Sequence, residues 1–115
     1  MAGVTRRILV VEPDDLILGL LERWLGEAGY EVVVEALPAK PEPHLVIIDV
    51  PDPLAAGKII KSVKETHAAP ILLLSARLRR GAGASISVAR QLGVRNVLPK
   101  PFTHDELLSA VGESI

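Results

Sequence analysis

The chain has 115 residues, of which 49% are apolar, and it carries 13 basic and 14 acidic residues. This length predicts one domain over residues 1–115, and the balanced charge gives no bulk attraction to nucleic acid or anionic lipid. The absence of cysteine excludes disulfides and thiolate metal sites. No apolar run approaches the ~18 residues that span a membrane, and the first residues lack a signal-peptide core, so we expect a soluble cytoplasmic protein without direct membrane or nucleic-acid contact.

Three short apolar runs, at residues 8–11, 45–48 and 71–74, and a weaker one around residues 94–98 do not alternate polar with apolar side chains. Continuous runs of this length are typical of strands that are buried on both faces of a parallel sheet. Residues 31–35 (EVVVE) predict a fifth strand, and the charges that flank it favour an edge position. The sequence therefore predicts a sheet of five strands.

Helical periodicity separates these strands. The first predicted helix is capped by Asp14 or Asp15, ends at Gly29 and carries an apolar stripe formed by Leu16, Leu20, Leu21, Trp24, Leu25 and Ala28. Shorter stripes predict a second helix, with exposed lysines, near residues 58–64 and a third near residues 86–92. Strands that alternate with helices indicate a doubly wound parallel sheet.

Two further patterns predict where one helix begins and where another is shortened or lost. Thr103 and Glu106 have the spacing of a capping box, which predicts the start of a last helix. The link between strands two and three contains three prolines (Pro38, Pro41 and Pro43), and each of them lacks the N–H that a helix needs. We therefore expect the helix between strands two and three to be shortened or lost.

Polar side chains stand where the predicted strands end. The first strand runs into Glu12, the third into Asp49, the fourth into Ser75 and the fifth into Lys100. In a parallel sheet these ends meet at one edge, where ligands bind. A carboxylate can form an acyl phosphate, a divalent cation can offset phosphoryl charge, and a hydroxyl and an ammonium can bind the transferred group. Each residue alone is more often a cap, a turn residue or a surface charge, so the interpretation depends on their joint placement.

Four fragments in order, ILVVEPDD, HLVIIDVPDPLAAG, PILLLSA and LPKPF, resemble the receiver domains of two-component response regulators. The resemblance covers nearly the whole chain and implies a flavodoxin-like sheet of order 2-1-3-4-5. It also implies that Asp49 is the phosphoacceptor, that Ser75 hydrogen-bonds the phosphoryl group, that Lys100 pairs with it, and that the Lys100–Pro101 bond is cis.

The resemblance further implies a Mg²⁺ site formed by Glu12, Asp49 and the backbone carbonyl of Pro51. The family's second acidic ligand is replaced by Pro13, so we expect weak Mg²⁺ binding, and Asp14 could compensate. The implied partners are a histidine kinase or phosphotransfer protein and a downstream protein that the sequence does not identify. A homodimer is left open.

Three readings of the function follow from these residues. The first is a phosphorylated receiver in a phosphorelay. The second is a degenerate receiver that binds other proteins without phosphorylation, which is favoured by Pro13, by the shortened link and by Val97, which stands at the family's aromatic switch position. The third, a small hydrolase or nucleotide-binding enzyme, is opposed by the lack of a Gly-rich phosphate loop, a GxSxG motif and a cysteine nucleophile. We therefore do not expect a dedicated enzyme. The three histidines, which lack ligand spacing, are expected to be solvated.

Overall fold

The computed structural model describes residues 6–11, 15–34, 43–50, 56–75 and 82–115, with residues 82–86 described by their backbone alone. In this part of the chain the elements, in order, are β1 (Arg7–Val11), α1 (Asp15–Glu27), β2 (Glu31–Val33), β3 (Leu45–Asp49), α2 (Gly57–Thr66), β4 (Ile71–Ser75), α3 (Ala82–Leu92), β5 (Asn96–Pro99) and α4 (His104–Ser114). None of these helices is long and apolar enough to cross a membrane.

The five strands form one parallel sheet in the order β2-β1-β3-β4-β5, as predicted. The short strand β2 lies at the edge, and its residues are exposed or only partly buried. The strand order reverses between β1 and β3, where ligands bind in open α/β sheets, beyond the carboxyl ends of the strands. The predicted loss of a helix in the β2–β3 link falls mostly on residues 35–42, which lie outside the described residues, so it stays a prediction.

Successive residues of the central strands face opposite sides of the sheet, and each side has its own apolar core. On one side, α1 and α4 cover a core that includes Ile8, Val10, Leu45, Ile47, Leu72 and Leu74. On the other side, α2 and α3 cover a core that includes Leu9, Val46, Ile48, Ile71, Leu73 and Val97. Burial on both faces explains why these strands are continuously apolar in the sequence.

The apolar stripe of α1 differs from the predicted one. Leu21 and Leu25 are fully buried, whereas Leu16 is 86% exposed. Leu16 precedes Leu21 by five residues, which at 3.6 residues per turn places it about 140° around the helix from that side chain. The prediction was wrong at Leu16, and also at Ala28, which is exposed and follows the end of α1, because the six residues were assigned to a single stripe that is wider than one helix face.

Glycines and a capping box end or begin the helices as predicted. Gly29 and Gly93 have positive φ angles of 95° and 72°, a conformation that glycine adopts without a steric penalty. At the start of α4, the Glu106 N–H donates to Thr103 Oγ1 at 3.1 Å, and the Thr103 N–H donates to Glu106 Oε1 at 2.9 Å. This capping box fixes the chain immediately after the Lys100–Pro101 peptide bond, which is cis as the resemblance implied.

The histidines differ in their surroundings. His44 and His104 are exposed as expected, but His67 is only 4% exposed, so the expectation was wrong for this residue. His67 follows α2, and its N–H donates to the Val63 carbonyl at 2.8 Å. Its ring is buried because the chain turns there from α2 back into β4, at the edge of the core.

Candidate functional site

Three of the predicted site residues end adjacent strands of the sheet. In the pairing register, Asp49 of β3 lies opposite Leu74 of β4, and Ser75 lies opposite Pro99 of β5. The ladder continues past the strands, since the Val50 N–H donates to the Leu74 carbonyl and the Lys100 N–H donates to the Ser75 carbonyl, both at 2.9 Å. The backbone therefore brings Asp49, Ser75 and Lys100 to one edge of the sheet, as the sequence predicted.

Asp49 and Lys100 form a partly buried ion pair. Lys100 Nζ lies 2.5 Å from Asp49 Oδ1, and the two side chains are 19% and 11% exposed, respectively. Oδ1 is buried, and among the described residues no hydrogen-bond donor other than this ammonium approaches it. The carboxylate is thus balanced by a neighbouring charge, and it provides oxygens of the type that a hard cation binds.

Ser75 completes the described part of the site. The residue is fully buried at the carboxyl end of β4, next to β3 and β5. The strand β4 lies between β3 and β5, and adjacent strands are ~4.8 Å apart. Asp49 and the backbone of Lys100 are therefore about two strand spacings apart. The Lys100 side chain spans this distance to Asp49, and the Ser75 hydroxyl belongs to the strand between them.

The other predicted metal ligands, Glu12, Asp14 and Pro51, lie outside the described residues, as does Pro13. Within the described ranges, no group of three or more histidine, aspartate or glutamate residues could hold a metal ion. Asp49 alone contributes there, and its buried Oδ1 is an oxygen of the type that Mg²⁺ prefers. The described donor therefore fits a hard cation, and the remaining ligands are assigned from the sequence resemblance.

An aromatic cluster that was not predicted from the sequence supports the loop that carries Lys100. Trp24 of α1 packs edge-on against Phe102, with ring centroids 6.3 Å apart, and against His104 at 5.3 Å. The sequence placed Trp24 on the core face of α1 and Phe102 just after Lys100. The only available signal for their contact was the scarcity of aromatic residues, which make up 3% of the chain.

Val97 confirms the departure from the family's aromatic position. The side chain is 3% exposed and packs in the core beneath α2 and α3. A buried valine at this position has no ring that could move between the core and solvent. Reorientation of an aromatic ring at position 97 is therefore excluded as a signal readout.

The chain is similar to curated response regulators. It is 34% identical to the transcriptional regulatory protein PdtaR of Mycobacterium tuberculosis, over 96% of this chain and 57% of that protein. It is 30% identical to the transcriptional regulatory protein CpxR of Escherichia coli, over 91% of this chain and 47% of that protein. The chain thus spans about half the length of these relatives. No protein-family model matches it.

Solved receiver structures share the fold. The non-phosphorylated HemR receiver domain of Leptospira biflexa superposes with a TM-score of 0.75 at 24% identity, covering 96% of this chain and 94% of that one. The chemotaxis response regulator CheY4 of Vibrio cholerae also gives a TM-score of 0.75, at 23% identity, with 97% and 100% covered. The sequence relatives and the shared architecture, with Asp49 and Lys100 paired at the sheet edge, identify this chain as a response-regulator receiver domain.

Proposed function

We propose that this domain accepts a phosphoryl group on Asp49 from a histidine kinase or phosphotransfer protein. The observation that supports the proposal is the ion pair between Asp49 and Lys100 at the end of β3, beside the buried Ser75. A lone strand-terminal aspartate has many structural roles. An aspartate held close to an ammonium next to a buried hydroxyl has the groups that phosphoryl transfer needs.

In the proposed reaction, a carboxylate oxygen of Asp49 attacks the phosphorus of a phosphohistidine. An acyl phosphate bond forms, the phosphorus–nitrogen bond breaks, and the leaving imidazole keeps the electron pair and takes a proton from solvent. Lys100 then pairs with a phosphoryl oxygen instead of the free carboxylate, and Ser75 donates its hydroxyl proton in a hydrogen bond to another. The product is the modified domain itself, so we propose no turnover of a metabolite.

The cation in this proposal is Mg²⁺, which Asp49, Glu12 and the Pro51 carbonyl would hold, with Asp14 as an alternative ligand. When bound, Mg²⁺ offsets negative charge on the phosphoryl oxygens. Pro13 supplies no side-chain oxygen where the family has its second acid, and Mg²⁺ needs near-octahedral oxygen coordination. We therefore propose that Mg²⁺ binds weakly and that small-molecule donors phosphorylate the domain slowly.

The test is intact-mass spectrometry after treatment with acetyl phosphate, with and without Mg²⁺. We expect wild-type protein to gain the mass of one phosphoryl group in the presence of Mg²⁺, and Asp49→Asn to gain none. Asp105→Asn is the matched control, because the Asp105 side chain is 97% exposed at the far side of the β5–α4 turn. Equal modification of Asp49→Asn would contradict the proposal, and so would wild-type protein that stays unmodified both by acetyl phosphate and by a phosphorylated kinase or phosphotransfer domain.

The competing function is that of a degenerate receiver that binds its partners without phosphorylation. Pro13 and the buried Val97 favour it. Pro13 removes a side-chain ligand for Mg²⁺, and Val97 replaces the aromatic ring that the family uses as a switch. The same mass measurement separates the two functions when a phosphorylated kinase or phosphotransfer domain replaces acetyl phosphate. A domain that stays unmodified by every such donor, yet binds a partner equally well as Asp49→Asn, would be a degenerate receiver. Homodimer formation stays open in both cases.

A further inference from the structure

A surface unrelated to Asp49 carries the features of a docking site. A recess of about 420 Å³ lies between α2 and α3 and is lined by Gly57, Ile60, Lys61, Lys64, Glu65 and Leu92. A second recess of about 510 Å³, at the amino ends of β4 and β5, shares Lys64 with the first and is also lined by His67, Gly93 and Arg95. We call these two adjoining recesses the α2–α3 groove.

The groove is lined by cations that have no carboxylate partner. Within the described ranges, the side chains of Lys61, Lys64 and Arg95 make no ion pair or hydrogen bond. Elsewhere in the described chain, Arg7, Arg23 and Lys100 each pair with a carboxylate, whereas Arg6, Lys58 and Arg90 also lack an ion pair there, so what distinguishes the groove is that three such cations lie together. The chain as a whole is slightly acidic, with a net charge of −1, so a run of unpaired cations on one surface is a local feature.

The position of Lys64 shows how the local fold provides this charge. A Cβ at Gly93 would lie 2.7 Å from Lys64 Nζ, so the ammonium occupies space that any other residue at position 93 would fill. Gly93 also ends α3 with a positive φ angle, which places the ammonium beside the carboxyl end of a helix, where the dipole favours a cation. The ammonium is therefore held where the two recesses meet, and no carboxylate of the described chain neutralises it.

The floor of the groove is apolar. Ile60 is 3% exposed, and Leu92 is half-buried and packs against the core beneath α2 and α3. The lining includes one acid, Glu65, and no phenylalanine, tyrosine or tryptophan, and its one imidazole, that of His67, is only 4% exposed, so it offers little ring surface on which a base could stack. An apolar floor between cationic walls is complementary to a segment that presents both apolar side chains and carboxylates.

We propose that the α2–α3 groove binds an acidic, amphipathic helical segment of a partner protein. The segment would place apolar side chains over Ile60 and Leu92 and carboxylates near Lys61, Lys64 and Arg95. Recognition of this kind uses apolar residues at helical spacing in a groove, and complementary charge sets orientation and association rate. The lining of this site does not include Asp49, Ser75 or Lys100, so the site is tested on the unmodified protein.

The test uses fluorescence anisotropy with a labelled 18-residue peptide of leucine and glutamate, with the leucines at helical spacing on one face. Comparators are the same peptide with glutamine in place of glutamate and a labelled single-stranded oligothymidine of 18 nucleotides. The protein is the unmodified wild-type chain without acetyl phosphate, together with Lys64→Glu and Arg6→Glu. Arg6 is an exposed cation outside the groove, and its side chain makes no ion pair with any residue that the structure describes. Each substitution replaces a cation with a carboxylate, so both variants change the net charge equally.

We expect the glutamate peptide to bind wild-type protein, with an affinity that falls as salt rises. Lys64→Glu should weaken this binding about tenfold or more, and Arg6→Glu less than about threefold. Circular dichroism should show that both variants are folded, because both substituted side chains are exposed.

Several results would overturn the proposal. Equal losses in the two variants would indicate nonspecific attraction, and equal binding of the glutamine peptide would remove the role of charge. Tighter binding of oligothymidine that is lost in Lys64→Glu would make the groove a nucleic-acid site. Self-association in sedimentation that disappears in Lys64→Glu would assign the groove to a second copy of the chain. The absence of any peptide binding would also count against it, and none of these results bears on phosphorylation.

Discussion

Breaking the ion pair between Asp49 and Lys100 should lower the free energy of unfolding. Replacing the lysine should lower it more than replacing the aspartate does. At 2.5 Å the gross attraction is about 2 kcal/mol in water and about 7 kcal/mol at an effective dielectric of 20. Desolvation of the two groups offsets much of this, and exposed pairs are typically worth about 0–1 kcal/mol. Because the side chains are only 19% and 11% exposed, we expect a net coupling of about 1–3 kcal/mol, between the exposed and the buried limits.

The two single substitutions should not be equivalent. Lys100→Gln leaves the Asp49 carboxylate, with its buried Oδ1, without its cation, and we expect it to cost about 2–3 kcal/mol. Asp49→Asn leaves an ammonium on a flexible stem that can turn towards solvent, so it should cost less. The double variant should recover part of the loss, because neither charge is then isolated.

The assay is a double-mutant cycle from urea unfolding at low ionic strength. A change of 2 kcal/mol corresponds to a midpoint shift of about 1 M urea. The control cycle uses the exposed pair Arg23–Glu27, which has a 3.6 Å contact and side chains that are 76% and 62% exposed. Its coupling should stay below about 0.5 kcal/mol and vanish first as salt is added. Equal couplings in the two cycles, or a larger loss from Asp49→Asn than from Lys100→Gln, would refute the reasoning.

Three further outcomes can be measured directly. Thr103→Ala removes the oxygen that accepts the Glu106 N–H and should lower the free energy of unfolding in urea by about 1 kcal/mol. Thr103→Ser keeps a hydroxyl and should lower it much less. Equal losses in the two variants would show that the hydroxyl is unimportant. Leu25→Ala deletes a fully buried side chain and should lower the free energy of unfolding by about 2–5 kcal/mol. Leu16→Ala, at an 86% exposed position, should change it by less than about 0.5 kcal/mol. Similar losses in the two variants would contradict the observed orientation of α1. In a Mg²⁺ titration at constant salt, Pro13→Asp should bind more tightly than wild type and should be phosphorylated faster by acetyl phosphate; equal binding would mean that the missing acid does not matter.

Local patterns were sufficient for the elements and for the site residues that end strands. Continuous apolar runs indicate strands buried on both faces, and the resemblance added the strand order, so the residues that follow β3, β4 and β5 were expected at one edge. The observed register brings Asp49, Ser75 and Lys100 to that edge. The capping box at Thr103 and the turn glycines were equally accessible, because both depend on residues close together in the chain.

Features that depend on which elements pack together could not be predicted from local sequence patterns. The pattern in α1 could not show that Leu16 is exposed, since the buried arc of a helix is chosen by the sheet and helix that it contacts. His67 looked solvated, yet the turn into β4 buries it. The contact of Trp24 with Phe102 joins positions 78 residues apart, and the groove between α2 and α3 combines Lys64 of α2 with Gly93, which follows α3. Contacts of this kind follow from the three-layer packing of the whole domain, because only there do distant side chains share one space.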